Sequence, residues 1–354
     1  MTARLPLAVI GAGSIGMRHV EVAQASDAVD LVAVVEPDAA RRAVLATAGL
    51  TVVAELDDLP DAVRAAIVAT PTPDHHASTL ACLGRGLAVI VEKPVTATLD
   101  QAREVVDHAA RMGQPLVTGH HRRCHPFSIA ARTALTRIGE PVAVQGLWSV
   151  RKPDAYFDVA WRRQPGAGPL MTNLSHEIDL LRFLLGEIDE VAALTSTARR
   201  GLEIEDTAAM TFRFASGALG SFVVTDAGAS PWSFEAATGE NPGIAASGED
   251  YVRITGTDGA LAFPSLVHWG RSGPGEIDWS MPLAREGGAE FASIDPLRAQ
   301  LDRFAAAVGG AADDILCTGT DGIAALEMTL AAALSARTGQ PVRRGGVPGG
   351  FTGV

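Results

Sequence analysis

The chain has 354 residues, 47% of them apolar and 20% charged, with a formal net charge of −12. That balance belongs to a folded protein long enough for two domains. It excludes a membrane protein, since no apolar run approaches the roughly 18 residues of a span, and it disfavours nucleic acid, whose phosphates an acidic chain repels.

The opening stretch "MTARLPLAVIGAG" enters a strand and a glycine loop at once, without the charged and apolar regions of a secretory leader. Short apolar runs follow at 5–10, 31–36, 65–70, 87–92 and 115–119, with a weaker one at 51–55. They lack alternation, as strands buried on both faces of a parallel sheet do. Between them lie helical stretches, the clearest at 98–113. There Thr98 and Gln101 form a capping-box signature, Ala102, Val105, Val106 and Ala109 share a face, and Gly113 supplies a stop. Alternating β and α elements predict a doubly wound sheet.

The pattern changes near residue 120. A longer strand is expected at 141–152, and strand pairs at 207–226 around Ser-Gly and at 251–263 around Asp-Gly. Residues 228–250, rich in Gly, Ser and Pro, read as a long loop, and helices are expected at 295–308 and 321–337. The fold class is therefore an α/β Rossmann domain over residues 1–121. An α+β domain with a large, mainly antiparallel open sheet follows over 122–354.

"VIGAGSIGMRH" carries Gly11, Gly13 and Gly16 in a GxGxxG that follows a strand and opens a helix, with Ser14 and Ile15 inside the motif. The first glycine permits the tight turn, the second lets the backbone approach a pyrophosphate, and the third lets helix and strand pack closely. Glu36 stands at the end of the next strand, 20 residues past Gly16. A carboxylate there accepts hydrogen bonds from ribose hydroxyls and repels a 2′-phosphate, so NAD is expected over NADP. Arg41 and Arg42 nearby leave room for NADP.

Of 29 basic residues only Lys93 and Lys152 are lysines, and the other 27 are arginines. Lys93 follows a strand in "LAVIVEKP". A lysine there can release a proton where an arginine stays charged. His176 and Asp179 are three apart at the start of a helix whose apolar stripe is Leu174, Ile178, Leu181 and Leu185, so they share a face. His176 titrates near neutrality and suits a base or relay. Lys152, Tyr156, Arg162 and Arg163 offer contacts for hydroxyls, sugar faces or carboxylates, and Trp232 lies in the long loop as a cover for the site. "GHHRRCH" (119–125) fits no standard zinc spacing, so no metal is expected. Cys82, Cys124 and Cys317 are odd in number and form no CxxC pair, which fits a reducing cytoplasm.

"ATPTPDHH", "EKP" and "GPLMTNLSHEID" together resemble the glucose–fructose oxidoreductase / inositol dehydrogenase (Gfo/Idh/MocA) family over nearly the full length. The resemblance implies an NAD(P)-dependent oxidoreductase acting on a secondary alcohol of a small polyhydroxylated sugar, cyclitol or polyol acid. It also implies a homodimer or homotetramer joined through the C-terminal sheet. It assigns Thr70, Pro71 and His75 to the cofactor loop, Glu92, Lys93 and Pro94 to the EKP, Pro94 often being cis, and Arg122 and Arg123 to a basic pair near the nicotinamide. Lys93 and His176 become the catalytic pair, with Asp179 beside them. Many members carry an aspartate four residues before the histidine. Here Thr172 stands there and Asn173 follows, both read as substrate contacts in place of the aspartate–histidine relay. Two other functions use the same motifs: glycoside cleavage through transient C3 oxidation, and a non-catalytic NAD and sugar sensor.

Overall fold

The structure, a computed structural model, describes residues 4–272, 277–289 and 294–354. The first three residues of the stretch read for a leader lie outside them. Among the described residues no helix is long and apolar enough to cross a membrane. The chain divides into two compact units.

The first unit opens with β1 (Leu5–Ile10), β2 (Val29–Val35), β3 (Val52–Val53), β4 (Ala65–Val68), β5 (Ala88–Val91) and β6 (Leu116–Thr118). All pair in parallel, in the order β3-β2-β1-β4-β5-β6. Every residue of β4 and β5 is buried, which explains their unbroken Ala, Val and Ile. Helices α1 (Ser14–Ala25), α2 (Ala39–Thr47), α3 (Thr72–Gly84) and α4 (Leu99–Met112) make the crossovers. Thr98 Oγ1 accepts the Gln101 N–H at 3.4 Å, and Gly113 ends α4 at φ +65°. The order reverses between β1 and β4, and open sheets bind ligands beyond the carboxyl ends of strands at such a point.

The second unit contains α5 (Pro126–Ala134), α6 (Pro169–Thr172), α7 (Leu174–Leu185) and α8 (Phe234–Thr238). Its strands are β7 (Pro141–Ser149), β8 (Ile188–Ser196), β9 (Thr207–Phe214), β10 (Leu219–Thr225), β11 (Val252–Gly256), β12 (Gly259–Phe263), β13 (His268–Arg271), β14 (Leu283–Glu286) and β15 (Val342–Arg343). They run β14-β13-β12-β11-β7-β10-β9-β8-β15, antiparallel except for the pair β7 and β10. Along β9 buried and exposed residues alternate, so one sheet face is covered and the other open. The expected strands at 141–152, 207–226 and 251–263 correspond to β7, β9 with β10, and β11 with β12. Within the expected loop at 228–250 the chain forms α8, because Ser233 Oγ accepts the Ala236 N–H at 3.1 Å and Phe234 is fully buried beside Tyr251 and Phe263.

Helices α9 (Pro296–Val308) and α10 (Gly319–Thr338) match the expected pair. Their allegiance departs from the single break expected at 121/122. The first unit takes residues Met1–Cys124 and Asp295–Leu326, and the second takes His125–Ile294 and Glu327–Val354. The reason lies in contacts between residues far apart in sequence. Asp302 accepts from Ser26 Oγ at 2.8 Å, Arg298 donates to the Ala25 carbonyl, and the Thr118 N–H bonds the Cys317 carbonyl at 2.8 Å. An apolar stripe announces that a helix will be buried, and says nothing about which unit will cover it. Phe304, fully buried on α9, tests this membership. Phe304→Ala is expected to lower the unfolding free energy of the first unit by about 3–5 kcal/mol, measured from denaturant midpoints.

Candidate active site

The turn from β1 to α1 has the shape that its glycines require. Gly11 has φ +92°, and a Cβ there would lie 3.0 Å from the Ala69 carbonyl oxygen. A Cβ on Gly16 would come within 2.0 Å of the Gly11 oxygen, so only glycine lets the helix pack against its own turn. Gly13 is different: a Cβ would meet nothing within 4 Å. Gly13 is also the N-cap of α1, and no side chain caps that end. The first N–H groups of the helix, next to Ser14 and the 38%-exposed Ile15, are thus left for an anion.

Glu36, just past β2, is 4% exposed. Its carboxylate accepts the Ala12 N–H at 3.1 Å and the Asp38 N–H at 2.9 Å, and Arg41 lies 3.4 Å away. Beyond β4, the Thr70 Oγ1 atom is buried and has no hydrogen-bond partner among the described residues. Pro71 starts α3, and His75 on that helix places Nε2 2.9 Å from the Thr70 carbonyl and Nδ1 2.7 Å from the Pro94 carbonyl. Burial pushes the His75 pKa below its usual value, and the two carbonyls offset this only in part. An uncapped helix start, open space at Gly13, a buried acid just past β2 and an unsatisfied buried hydroxyl are what a dinucleotide needs. The residues present therefore fit NAD.

Glu92 and Lys93 follow β5, and the Lys93–Pro94 peptide is cis, in the form that the family resemblance describes. Glu92 is 5% exposed, its Oε1 lies 2.7 Å from His19 Nε2, and its Oε2 accepts the Lys93 N–H at 3.1 Å. Burial alone would raise the Glu92 pKa. The hydrogen bond and charge of His19, with the charges of His121 and Lys93, outweigh that and hold it at about 2. Gly119, past β6, leaves room: a Cβ there would lie 3.0 Å from the Glu92 carboxyl carbon. Arg122 and Arg123 stand in the short 3-10 helix His121–Cys124, 3% and 5% exposed, and Arg123 pairs with Asp321 at 3.3 Å.

In the second unit Lys152, Thr172, Asn173, His176 and Asp179 lie around the start of α7. His176 is buried, and its N–H bonds the Asn173 carbonyl at 3.1 Å. Asp179, one turn on, lies 3.8 Å from Arg182. The Lys152 ammonium donates to Asn173 Oδ1 at 3.1 Å, pairs with Asp226 at 3.3 Å and stands 5.0 Å from the Tyr156 ring centre. Burial lowers the Lys152 pKa, with Asp226 opposing. Thr172 Oγ1 lies 2.9 Å from the Gly168 carbonyl oxygen and 3.0 Å from Asn173 Oδ1. Thr172, Asn173 and Lys152 thus form one polar group. Arg163 and Trp232 are exposed. Sequence reasoning missed His19 and Asp226, since neither stands in a motif. A lone acid after β10 and a histidine inside α1 give no signal until the strands are assembled.

The Glu92 pKa yields a sign. The folded-state value lies below the ordinary carboxylate range, so its contribution to stability is present above about pH 5 and fades as pH falls below about 4. Glu92→Gln is expected to be less stable than the native chain by on the order of 2–3 kcal/mol at neutral pH. The gap between the two urea midpoints is expected to narrow below about pH 4 and to close only as pH approaches about 2.

Comparison with known proteins agrees with this geometry. Residues 5–120 match the family model described as "Oxidoreductase family, NAD-binding Rossmann fold". Residues 129–262 match the GFO/IDH/MocA C-terminal domain. The 1,5-anhydro-D-fructose reductase of Ensifer adhaerens is 30% identical over 347 residues, covering 94% of this chain and 96% of that protein. An inositol 2-dehydrogenase of Streptomyces avermitilis is 33% identical over 205 residues, covering 55% of this chain and 57% of that protein. An oxidoreductase from Agrobacterium radiobacter, solved with NAD+, L-tartaric acid and magnesium, shares the fold with a TM-score of 0.79 at 18% identity, covering 96% of this chain and 98% of its own. The chain belongs to the GFO/IDH/MocA family of NAD-binding oxidoreductases.

Proposed function

We propose that the enzyme oxidises, or in reverse re-forms, a secondary hydroxyl of a sugar, cyclitol or polyol acid, with Lys93 as the group that takes the hydroxyl proton. The observation that carries this reading is the lysine itself. In a chain with only one other lysine and 27 arginines, it follows β5 with its peptide N–H held by the buried Glu92 carboxylate. NAD, when bound, accepts the hydride from the carbinol carbon. The neutral Lys93 amine receives the hydroxyl proton as the carbonyl forms. His176, with Asp179 beside it on α7, is the second candidate proton-transfer group. Gly11, Gly13, Ser14, Ile15, Gly16, Glu36, Thr70, Pro71, His75, Glu92 and Arg122 hold the dinucleotide. Lys152, Tyr156, Thr172, Asn173, Arg123, Arg163 and Trp232 bind the substrate's other oxygens and its ring face. The relatives named as an anhydrofructose reductase and an inositol 2-dehydrogenase support a polyhydroxylated substrate.

The working compartment is the cytoplasm, a reading supported by three buried cysteines outside any disulfide. The open face of the second sheet is where another copy binds. It exposes Leu194 at 73% and Leu219 at 52%, side chains that a second copy would cover. Sedimentation of the native chain is expected to give an oligomer of the 36.7 kDa chain. Leu194→Arg with Leu219→Arg is expected to shift it toward single chains, and a native protein that sediments as one chain sinks this reading.

For the chemistry, the protein is incubated with NAD and a panel of polyols, cyclitols and sugar acids while NADH absorbance is followed. Lys93→Met is expected to lower kcat by about 100- to 10,000-fold with NAD affinity within a few-fold of native. Wild-type turnover by that variant would remove Lys93 from the mechanism. Release of aglycone from glycosides with no net NADH would favour the glycoside-cleaving alternative instead.

A further inference from the structure

His19 is a buried titratable group that no step above uses. It stands on α1, three residues past Gly16, and is 1% exposed. Its Nε2 is 2.7 Å from Glu92 Oε1, while its Nδ1 is buried with no hydrogen-bond partner among the described residues. Glu92 is ionised, so its oxygens only accept. His19 Nε2 therefore carries the hydrogen and donates. The other carboxylate oxygen accepts the N–H of Lys93. One carboxylate thus joins the dinucleotide helix to the residue that follows β5.

We propose that His19 is a positioning residue for Lys93: through Glu92 it fixes the peptide that bears the lysine and sets how readily the amine gives up its proton. This rests on Lys93 being the proton acceptor. Charged and titratable groups that act with Glu92 include His19 on α1, His75 on α3, His121 in the short 3-10 helix, and Lys93. A carboxylate that gives part of its charge to a buried imidazole N–H attracts the neighbouring ammonium less. Without that donor the carboxylate still stays ionised at the alkaline pH where an amine titrates. It then holds the Lys93 proton more firmly.

The test uses the two-lysine composition. Reductive methylation with 13C-formaldehyde labels only Lys93, Lys152 and the terminal amine of the full chain. The Lys93 signal, assigned by the loss of the other lysine signal in Lys152→Arg, is followed against pH without cofactor. His19→Leu is expected to raise the Lys93 midpoint by about 0.5–1 pH unit. His19→Gln, whose amide still donates, is expected to keep the native midpoint, and Glu92→Gln to lower it. In assays of alcohol oxidation the limb on which kcat rises with pH is expected to move with the His19→Leu midpoint while the NAD dissociation constant changes little. A merely structural histidine would weaken NAD binding and stability together and leave the Lys93 midpoint in place. Should His19→Leu not fold, His19→Met of similar volume replaces it.

A native midpoint in the folded apolar variant, or no movement in Glu92→Gln, overturns the inference. The Lys93 reading fails separately. If Lys93→Met turns over normally, the chemistry falls whatever His19 does. If Lys93→Met is inactive and the midpoint does not move, only the His19 link falls.

Discussion

Glu92 carries a negative charge into a place nearly without water, and the first unit is organised around neutralising it. Moving an ion out of water costs several kcal/mol, and the cost is offset only when its lone pairs are filled by well-placed donors. Two donors fill them, and a third segment leaves the room. His19 comes from α1, the Lys93 N–H from the residue after β5, and Gly119 past β6 leaves the space for the carboxyl group. Each donor is fixed by secondary structure, so the carboxylate keeps those segments in register. The helix that starts at the dinucleotide turn is thereby tied to the residue proposed to handle the proton. Binding of the cofactor and placement of the lysine become properties of one packed unit.

His75 extends the same arrangement. Its ring sits between the Thr70 and Pro94 carbonyls, at 2.9 and 2.7 Å. It bridges the loop after β4 and the loop after β5, the two edges next to the point where the strand order reverses. The unsatisfied Thr70 hydroxyl lies at the end of that bridge. A buried hydroxyl without a partner is costly, and a dinucleotide bound as proposed would offer one.

The second unit solves a different electrostatic problem. Lys152 is largely buried, and its charge is shared between Asp226 and Asn173 Oδ1. Arg200 also pairs with Asp226, at 3.2 Å. Four residues before the histidine, where the family resemblance implies an aspartate, stands Thr172, a neutral group bonded to its neighbours Gly168 and Asn173. A carboxylate at 172 would add a second negative charge next to Asn173 Oδ1, which already accepts from Lys152. The threonine keeps the polar group compact and leaves the positive charge on Lys152 paired with Asp226.

Much was legible in the residues alone. Unbroken apolar runs became the buried parallel strands, the three glycines became the dinucleotide turn, and Thr98 and Gly113 bounded α4. The reason is that each signal is local: periodicity, a required φ and a cap all act within a few residues. The sequence determined that there is a Rossmann unit, where its cofactor turn lies, and which lysine and histidine are candidates for proton transfer. Tertiary structure alone decided that Asp295–Leu326 joins the first unit, that His19 meets Glu92 across 73 residues of chain, and that Asp226 meets Lys152. Those pairings depend on how strands order and helices dock, and no local preference encodes the partner of a single buried charge.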